Sequence, residues 1–120
     1  MDLIFVADGN GVLMDINPAG LALMGYDGGM DTIGREPMNA LLEDAAEGDR
    51  ILALMASQGF VKDHECALRT ADGAQVEILL SMTARRHPDG RIVEYEGIAK
   101  DITHRKQMLQ QLLRADRLAS

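Results

Sequence analysis

The chain has 120 residues, of which 47% are hydrophobic and 26% are charged, a composition typical of one globular domain with a single core. The formal net charge is -7, and residues 1–99 carry 17 acidic against 7 basic side chains, so the body of the domain repels nucleic acid phosphates. A lone cysteine excludes an intramolecular disulfide, and no apolar run approaches the roughly 20 residues that span a bilayer. We expect a cytoplasmic domain that contacts neither nucleic acid nor membrane, in a parent protein that is either free or membrane-anchored.

Three Asp-Gly pairs, at positions 8–9, 72–73 and 89–90, each lie between two strand-like runs. Glycine adopts a positive φ without steric cost and aspartate tolerates it, so these pairs predict the turns of β-hairpins. The first pair joins LIFVA to VLMDI, the second joins VKDHECALRT to AQVEILLSMTA, and the third leads into RIVEYEGIAKDI. Together they predict a five-stranded antiparallel sheet, with two strands before a helical insert and three after it.

Between the two groups of strands, the spacing of apolar residues changes to that of helices. In NPAGLALMGYD, Asn17 is a predicted N-cap, and Pro18 takes the first helical position, where its missing N–H is not needed. PMNALLED predicts a short helical turn, and AAEGDRILALMASQG predicts a longer helix that ends at Gly59. Helices inserted between strand groups predict an α+β domain whose helices pack on one face of the sheet.

Alternation of apolar and polar residues predicts the buried face of the strands. In the fourth strand, the residues predicted to share the buried face are Val76, Ile78, Leu80, Met82 and Ala84. In the fifth strand, Ile98 is predicted to point inward, whereas Val93 and Tyr95, like Leu79 of the fourth, fall on the outer face. A partly apolar outer face indicates that a helix or a second subunit covers it.

From KDITHRKQ to the C-terminus the pattern is again helical, with Thr103 as a candidate cap. Apolar residues recur there at spacings of three and four, which predicts a dimerisation helix and a homodimer. The residues of this predicted stripe are Met108, Leu109, Leu112, Leu113 and Ala115. About two heptads leave the coiled-coil register open, and such a helix is stable only when a partner buries its stripe.

Taken in order, these elements resemble a PAS domain. The resemblance rests on VLMDINPAGLALMGYD at 12–27, IGREPMNALL at 33–42, RTADGAQVEILLSMTA at 69–84 and DGRIVEYEGIAKDITHRK at 89–106. It covers nearly the whole chain, and it is the order and spacing of these segments that make it specific. The closing LLRADRLAS resembles the run that leads into the dimerisation helices of bacterial sensor histidine kinases.

The resemblance implies a PAS sensory domain over residues 1–103 and a signalling helix over 104–120, without catalytic residues of its own. It also implies that Asp101, Ile102 and Thr103, the DIT motif, hold the joint between the last strand and this helix and relay a signal. A carboxylate at a helix N-terminus satisfies unpaired N–H groups and complements the dipole, which is worth about 0.5–2 kcal/mol. The effector is expected to be the histidine kinase of a two-component system, with a ligand-free dimerisation role or another effector such as a cyclase as alternatives.

Methionine is frequent, with eight residues, and flexible thioethers fill irregular space well. Two interpretations remain open: a methionine-rich core, or an adaptable apolar pocket for a small ligand. The candidate pocket residues are Met24, Ile33, Met38, Leu42, Leu54, Met55, Leu80, Met82 and Ile98.

Cofactor chemistry is disfavoured by the placement of the cysteine and the histidines. Cys66 lies on the apolar face of a predicted strand, which favours an inert buried thiol. Flavin-binding light sensors of the family carry a reactive cysteine in a short helix, and IGREPMNALL has none; haem-binding members carry a histidine on the long helix, and AAEGDRILALMASQG has none. His87 and His104 are expected to be solvated, and no second residue at metal-ligand spacing accompanies His64, so no metal site is expected.

Overall fold

The computed structural model describes residues 2–25 and 37–119, with side chains to residue 115. These residues form a five-stranded antiparallel sheet, which confirms the predicted architecture. The strands are β1 (Leu3–Asp8), β2 (Leu13–Ile16), β3 (Phe60–Arg69), β4 (Gln75–Arg86) and β5 (Ile92–Asp101). Their order across the sheet is β2-β1-β5-β4-β3, so the first and last strands of the chain pair near its centre.

The helices form where the capping signals predicted them. They are α1 (Pro18–Met24), a 3₁₀ turn (Met38–Leu41), α2 (Ala45–Gln58) and α3 (Thr103–Ala119). The Asn17 side chain caps α1 by accepting a hydrogen bond from the Gly20 N–H at 2.9 Å, and it also accepts one from the Ile4 N–H at 3.0 Å. This asparagine therefore fixes α1 to the start of β1. No helix among the described residues is both long and apolar enough to cross a membrane.

The first hairpin turns differently from the prediction, although its position is right. The residue with positive φ is Gly11, at +83°, rather than Gly9. The Asp8 carboxylate accepts hydrogen bonds from the N–H groups of Asn10 and Val12, at 2.9 and 3.0 Å, so the turn closes one step later along the chain. The turns at 72–73 and 89–90 have the predicted left-handed glycines.

The core lies between the helices and the inner face of the sheet, which carries Ile78, Leu80 and Met82. The inward phase predicted for β5 is wrong. Tyr95 pairs with Ala84 and is only 7% exposed, whereas Ile98 pairs with Ser81 on the outer face and is 40% exposed. Strand pairing forces this outcome, because each β5 residue shares a face of the sheet with its β4 partner, and successive residues alternate between the two faces.

Candidate functional site

A small cavity of about 50 Å³ lies between the inner face of the sheet, the 3₁₀ turn and α2. Side chains from all five strands and both of these helical elements line it, and among the lining residues that the structure describes Asn39 is the one polar residue. The volume suits one or two water-sized molecules, since a water occupies about 30 Å³ in the liquid. Pockets for drug-sized ligands typically span about 300–1,000 Å³.

Seven of the nine predicted pocket residues fall into three groups. Met38, Leu42, Leu80 and Met82 line the cavity. Met24 and Met55 are fully buried in the core but lie outside this lining. Ile33 lies outside the described residues.

Two pocket assignments are wrong. Leu54 is 36% exposed, because the buried stripe of α2 runs through Ile51 and Met55 on another side of the helix. Ile98 lies on the outer face, as the strand register requires. Sequence reasoning missed Phe5 and Ala99, which line the cavity from the two paired central strands; the pairing of β1 with β5 had to be known to place them.

Cys66 is buried beneath α2, as the sequence predicts, with 7% exposure. Burial, followed by the nearby carboxylates of Glu47, Glu77 and Glu65, raises the pKa of its thiol to about 12. The thiol therefore stays protonated at neutral pH. Because the thiolate is the reactive form of cysteine, this side chain acts as a core residue and not as a nucleophile.

His64 connects β3 to α2. Its Nε2 lies against the Glu47 carboxylate, which Arg50 also contacts from the next turn of α2. His64, followed by Arg50, holds the pKa of Glu47 below its usual range. The contact gives His64 a structural role between β3 and α2. Among the described residues no group of three or more His, Cys, Asp or Glu side chains is arranged to hold a metal ion.

The joint between β5 and α3 is held by hydrogen bonds that converge on Glu77 of β4. The Ile102 N–H donates to the Glu77 carbonyl at 2.8 Å, and the Glu77 N–H donates to the Thr103 hydroxyl at 3.0 Å. Asp101 accepts from the Thr103 N–H at 2.9 Å, and Ile102 is 3% exposed. The helix is thus capped by Asp101, whereas the predicted cap, Thr103, instead uses its hydroxyl to bind the neighbouring strand.

Lys106 adds an electrostatic contact one turn into α3. Its Nζ lies 2.5 Å from a Glu65 oxygen and 3.5 Å from a Glu77 oxygen. The Glu65 carboxylate raises the pKa of Lys106, and Lys106 lowers the pKa of Glu65. Sequence reasoning missed Lys106 and Glu77. The sequence places Lys106 three residues after Thr103, on the same side of the helix. Its contact with the two carboxylates can be predicted from this spacing only when the register of β3 and β4 is known.

The predicted dimerisation stripe is exposed along α3. The exposed fractions are 47% for Met108, 56% for Leu109, 64% for Leu112 and 54% for Leu113, and Ala115 is exposed as well. Isolated helices of this length are marginal in water. The stripe is therefore available to a partner in this structure.

A family model described as PAS fold matches residues 1–107. No curated protein sequence matches the chain at a significant level.

Solved structures agree with this family match. The PAS domain of a protein from Colwellia psychrerythraea is 25% identical, with a TM-score of 0.71 over 86% of this chain and 87% of that one. A domain of a sensory box sensor histidine kinase/response regulator from Geobacter sulfurreducens is 28% identical, with a TM-score of 0.66 over 83% and 82% of the two chains. A LOV domain from a blue-light activated histidine kinase of Erythrobacter litoralis is 20% identical, covers 83% of this chain and 94% of that one with a TM-score of 0.67, and shows the shared fold alone. The chain therefore belongs to the PAS domain family.

Proposed function

We propose that this PAS domain relays a signal from its sheet to an effector through α3. The observation that carries the proposal is the pair of hydrogen bonds at Glu77. Its backbone N–H donates to the Thr103 hydroxyl, and its C=O accepts from the Ile102 N–H. Glu77 lies next to Ile78, which lines the cavity. A displacement of β4 at the cavity therefore reaches the first turn of α3 without passing through any mobile linker.

The proposed effector is a histidine kinase, and the proposed functional unit is a homodimer. The likeness to the domain from the Geobacter sensor histidine kinase/response regulator supports this effector class. The exposed stripe of α3 supports pairing with the same helix of a second copy, which would bring two effector domains together. A signal would act by shifting the populations of two arrangements of this helix pair, which differ by a few kcal/mol in typical protein switches.

The test joins the chain in frame, through α3, to the catalytic region of a histidine kinase. Thr103→Val removes the oxygen that accepts the Glu77 N–H, whereas the matched control Thr103→Ser keeps it. We expect the valine variant to change the autophosphorylation rate about fivefold, since leaving this partly buried N–H without an acceptor costs about 1 kcal/mol and a switch needs only a bias of that size. The serine variant should retain the wild-type rate.

Thermal unfolding of both variants shows whether the domain remains folded. Equal kinase rates in the wild type, the valine variant and the serine variant would contradict the relay. A valine variant that no longer folds would show that the joint is purely structural.

A second candidate function is the sensing of a small apolar molecule in the cavity. The observation that favours it is the lining, which is apolar except for Asn39 within residues 2–25 and 37–115. Native mass spectrometry of the purified protein would then show a bound small molecule of constant mass, and the free chain mass alone would count against this candidate. Larger groups such as haem or flavin would require the cavity of about 50 Å³ to expand severalfold.

A further inference from the structure

β3 contains one extra residue, and this β-bulge turns His64 towards the helices. Val61 pairs with Met82 of β4. His64, three residues later, pairs with Leu80, which is only two residues from Met82. The bulge includes Asp63, whose φ of +50° lies in the left-handed region that residues other than glycine rarely adopt. Because side chains alternate between the faces of a regular strand, Val61 and His64 share the inner face only through this bulge.

The bulge places the His64 imidazole against the first turn of α2. Its Nε2 contacts one carboxylate oxygen of Glu47, and the side chains of His64 and Glu47 are 27% and 17% exposed. Partial burial weakens the screening of this contact by salt, while the remaining exposure lets the imidazole exchange protons with water. Ile51, one turn further along α2, lines the cavity. The contact therefore fastens one wall of the cavity to β3.

The groups that face the imidazole keep their protonation state in mild acid. On α2, Arg50 donates to the other carboxylate oxygen of Glu47 at 2.9 Å. The contact with His64, followed by that with Arg50, holds the pKa of Glu47 below its usual range, so this carboxylate stays ionised. On β3, burial raises the pKa of the Cys66 thiol to about 12, so the thiol stays neutral. Leu80 of β4 is apolar, and the 3₁₀ turn has no ionisable side chain.

The other charged side chains nearby face another surface or another partner. Asp44, the N-cap of α2, lies 3.6 Å from Arg50. Lys62, in the bulge, borders the outer face of the sheet. Glu65, the next residue along β3, pairs with Lys106 of α3. The imidazole is therefore the group of this contact that takes up a proton in mild acid.

We propose that the contact between His64 and Glu47 is a proton-operated latch that holds α2 on β3. Histidine is the side chain that ordinarily changes charge between about pH 5 and 8. The neutral imidazole donates a hydrogen bond to the carboxylate, and the protonated imidazole adds the attraction of opposite charges. The latch is therefore tighter in mild acid, and it loosens as the pH rises and the imidazole loses its proton. This inference goes beyond the proposed relay and does not depend on it.

Native-state hydrogen exchange of the full chain at about pH 5.5 and about pH 8 tests the latch, since histidine changes charge within this range. The Ile51 N–H reports on α2, because in an α-helix this amide bonds to the carbonyl four residues earlier, here that of Glu47. The protection factor of this amide is the observable, since it corrects for the pH dependence of intrinsic exchange. We expect it to be at least about threefold higher at the lower pH in the wild type.

Two variants remove the proton response without removing the hydrogen bond. His64→Gln keeps an N–H donor that cannot take up a proton, and Glu47→Gln keeps an acceptor without the charge. We expect the protection of Ile51 to become independent of pH in both. His87→Gln is the matched control, because it removes a histidine exposed at the turn between β4 and β5, and it should keep the wild-type difference. Thermal unfolding at both pH values shows that each variant is folded.

Three results would overturn the inference. Equal protection of Ile51 at the two pH values in the wild type would show that the contact does not respond to protons. A wild-type response in His64→Gln would assign the response to another group, and one in Glu47→Gln would show that this carboxylate is not the partner. If one of these variants does not fold, the other decides between the same outcomes, and failure of the latch would leave the relay proposal intact.

Discussion

Ile78→Ala is expected to lower the free energy of unfolding by about 2–5 kcal/mol, the range measured for large-to-small changes in protein cores. Ile78 is 1% exposed on the inner face and lines the existing cavity. Removing its side chain takes apolar contacts from both the sheet and the cavity wall, and the surrounding strands cannot close the space. Urea denaturation followed by circular dichroism measures the change.

Ile98→Ala is the matched control, because it is the same substitution in the neighbouring strand on the opposite face. Ile98 is 40% exposed, so we expect a loss of no more than about 1 kcal/mol, measured at a concentration at which the protein is monomeric. Equal losses for the two variants would show that Ile98 points into the core, as the sequence pattern alone suggested.

Gly97→Ala is expected to destabilise the domain by about 1–3 kcal/mol, because it overpacks the inner face. A Cβ at position 97 would lie 2.3 Å from two ring atoms of Phe5, which pairs with Gly97 across β1 and β5. Real carbon atoms do not approach so closely, so the ring or the strand must move. In an ordinary strand position the same change would stabilise, since alanine loses less backbone entropy on folding than glycine.

A double-mutant cycle with Phe5→Leu isolates this contact. The leucine side chain lacks the ring atoms that meet position 97, so Gly97→Ala should cost less in the Phe5→Leu background than in the wild type. Chemical denaturation of the four proteins gives the coupling energy. Additive effects, or a gain in stability from Gly97→Ala alone, would show that the Phe5 ring does not pack on Gly97.

Local signals in the sequence were sufficient for the elements of this fold. Caps such as Asn17, the stop at Gly59 and the glycines of the later hairpins act over a few residues, and the structure contains each of them. The five strands and their antiparallel arrangement follow from these turns. This part of the prediction succeeded because each signal and its structural effect are close together in the chain.

The phase of β5 could have been predicted better from the sequence. Glu94 and Glu96 share parity with Ile98, and two carboxylates on that face already favour solvent over the core. The small residues Gly97 and Ala99 in fact face inward, where they pair with Met82 and Leu80. The ring of Phe5, on the paired strand, fills the space that a larger side chain at position 97 would take.

Of the joint between β5 and α3, the local contact was predictable from the sequence and the contacts between distant residues were not. Asp101 caps α3 through a contact two residues away, and such a contact is legible in a sequence. The bonds from Ile102 and Thr103 to Glu77 span more than 20 residues and depend on the register between strands. The same holds for Lys106 and its two carboxylates, so the partners of the motif emerged only from the structure.

The central claim is that β4 and α3 move as one unit through the joint. Native-state hydrogen exchange at two amides tests this claim most directly. The Glu77 N–H bonds to the Thr103 hydroxyl, and the Lys106 N–H bonds to the Ile102 carbonyl at 3.0 Å in the first turn of α3. The account predicts that Thr103→Val lowers the protection of both amides together, whereas Thr103→Ser preserves both. Loss of protection at Glu77 with unchanged protection at Lys106 would contradict it, because α3 would then be anchored independently of the strand.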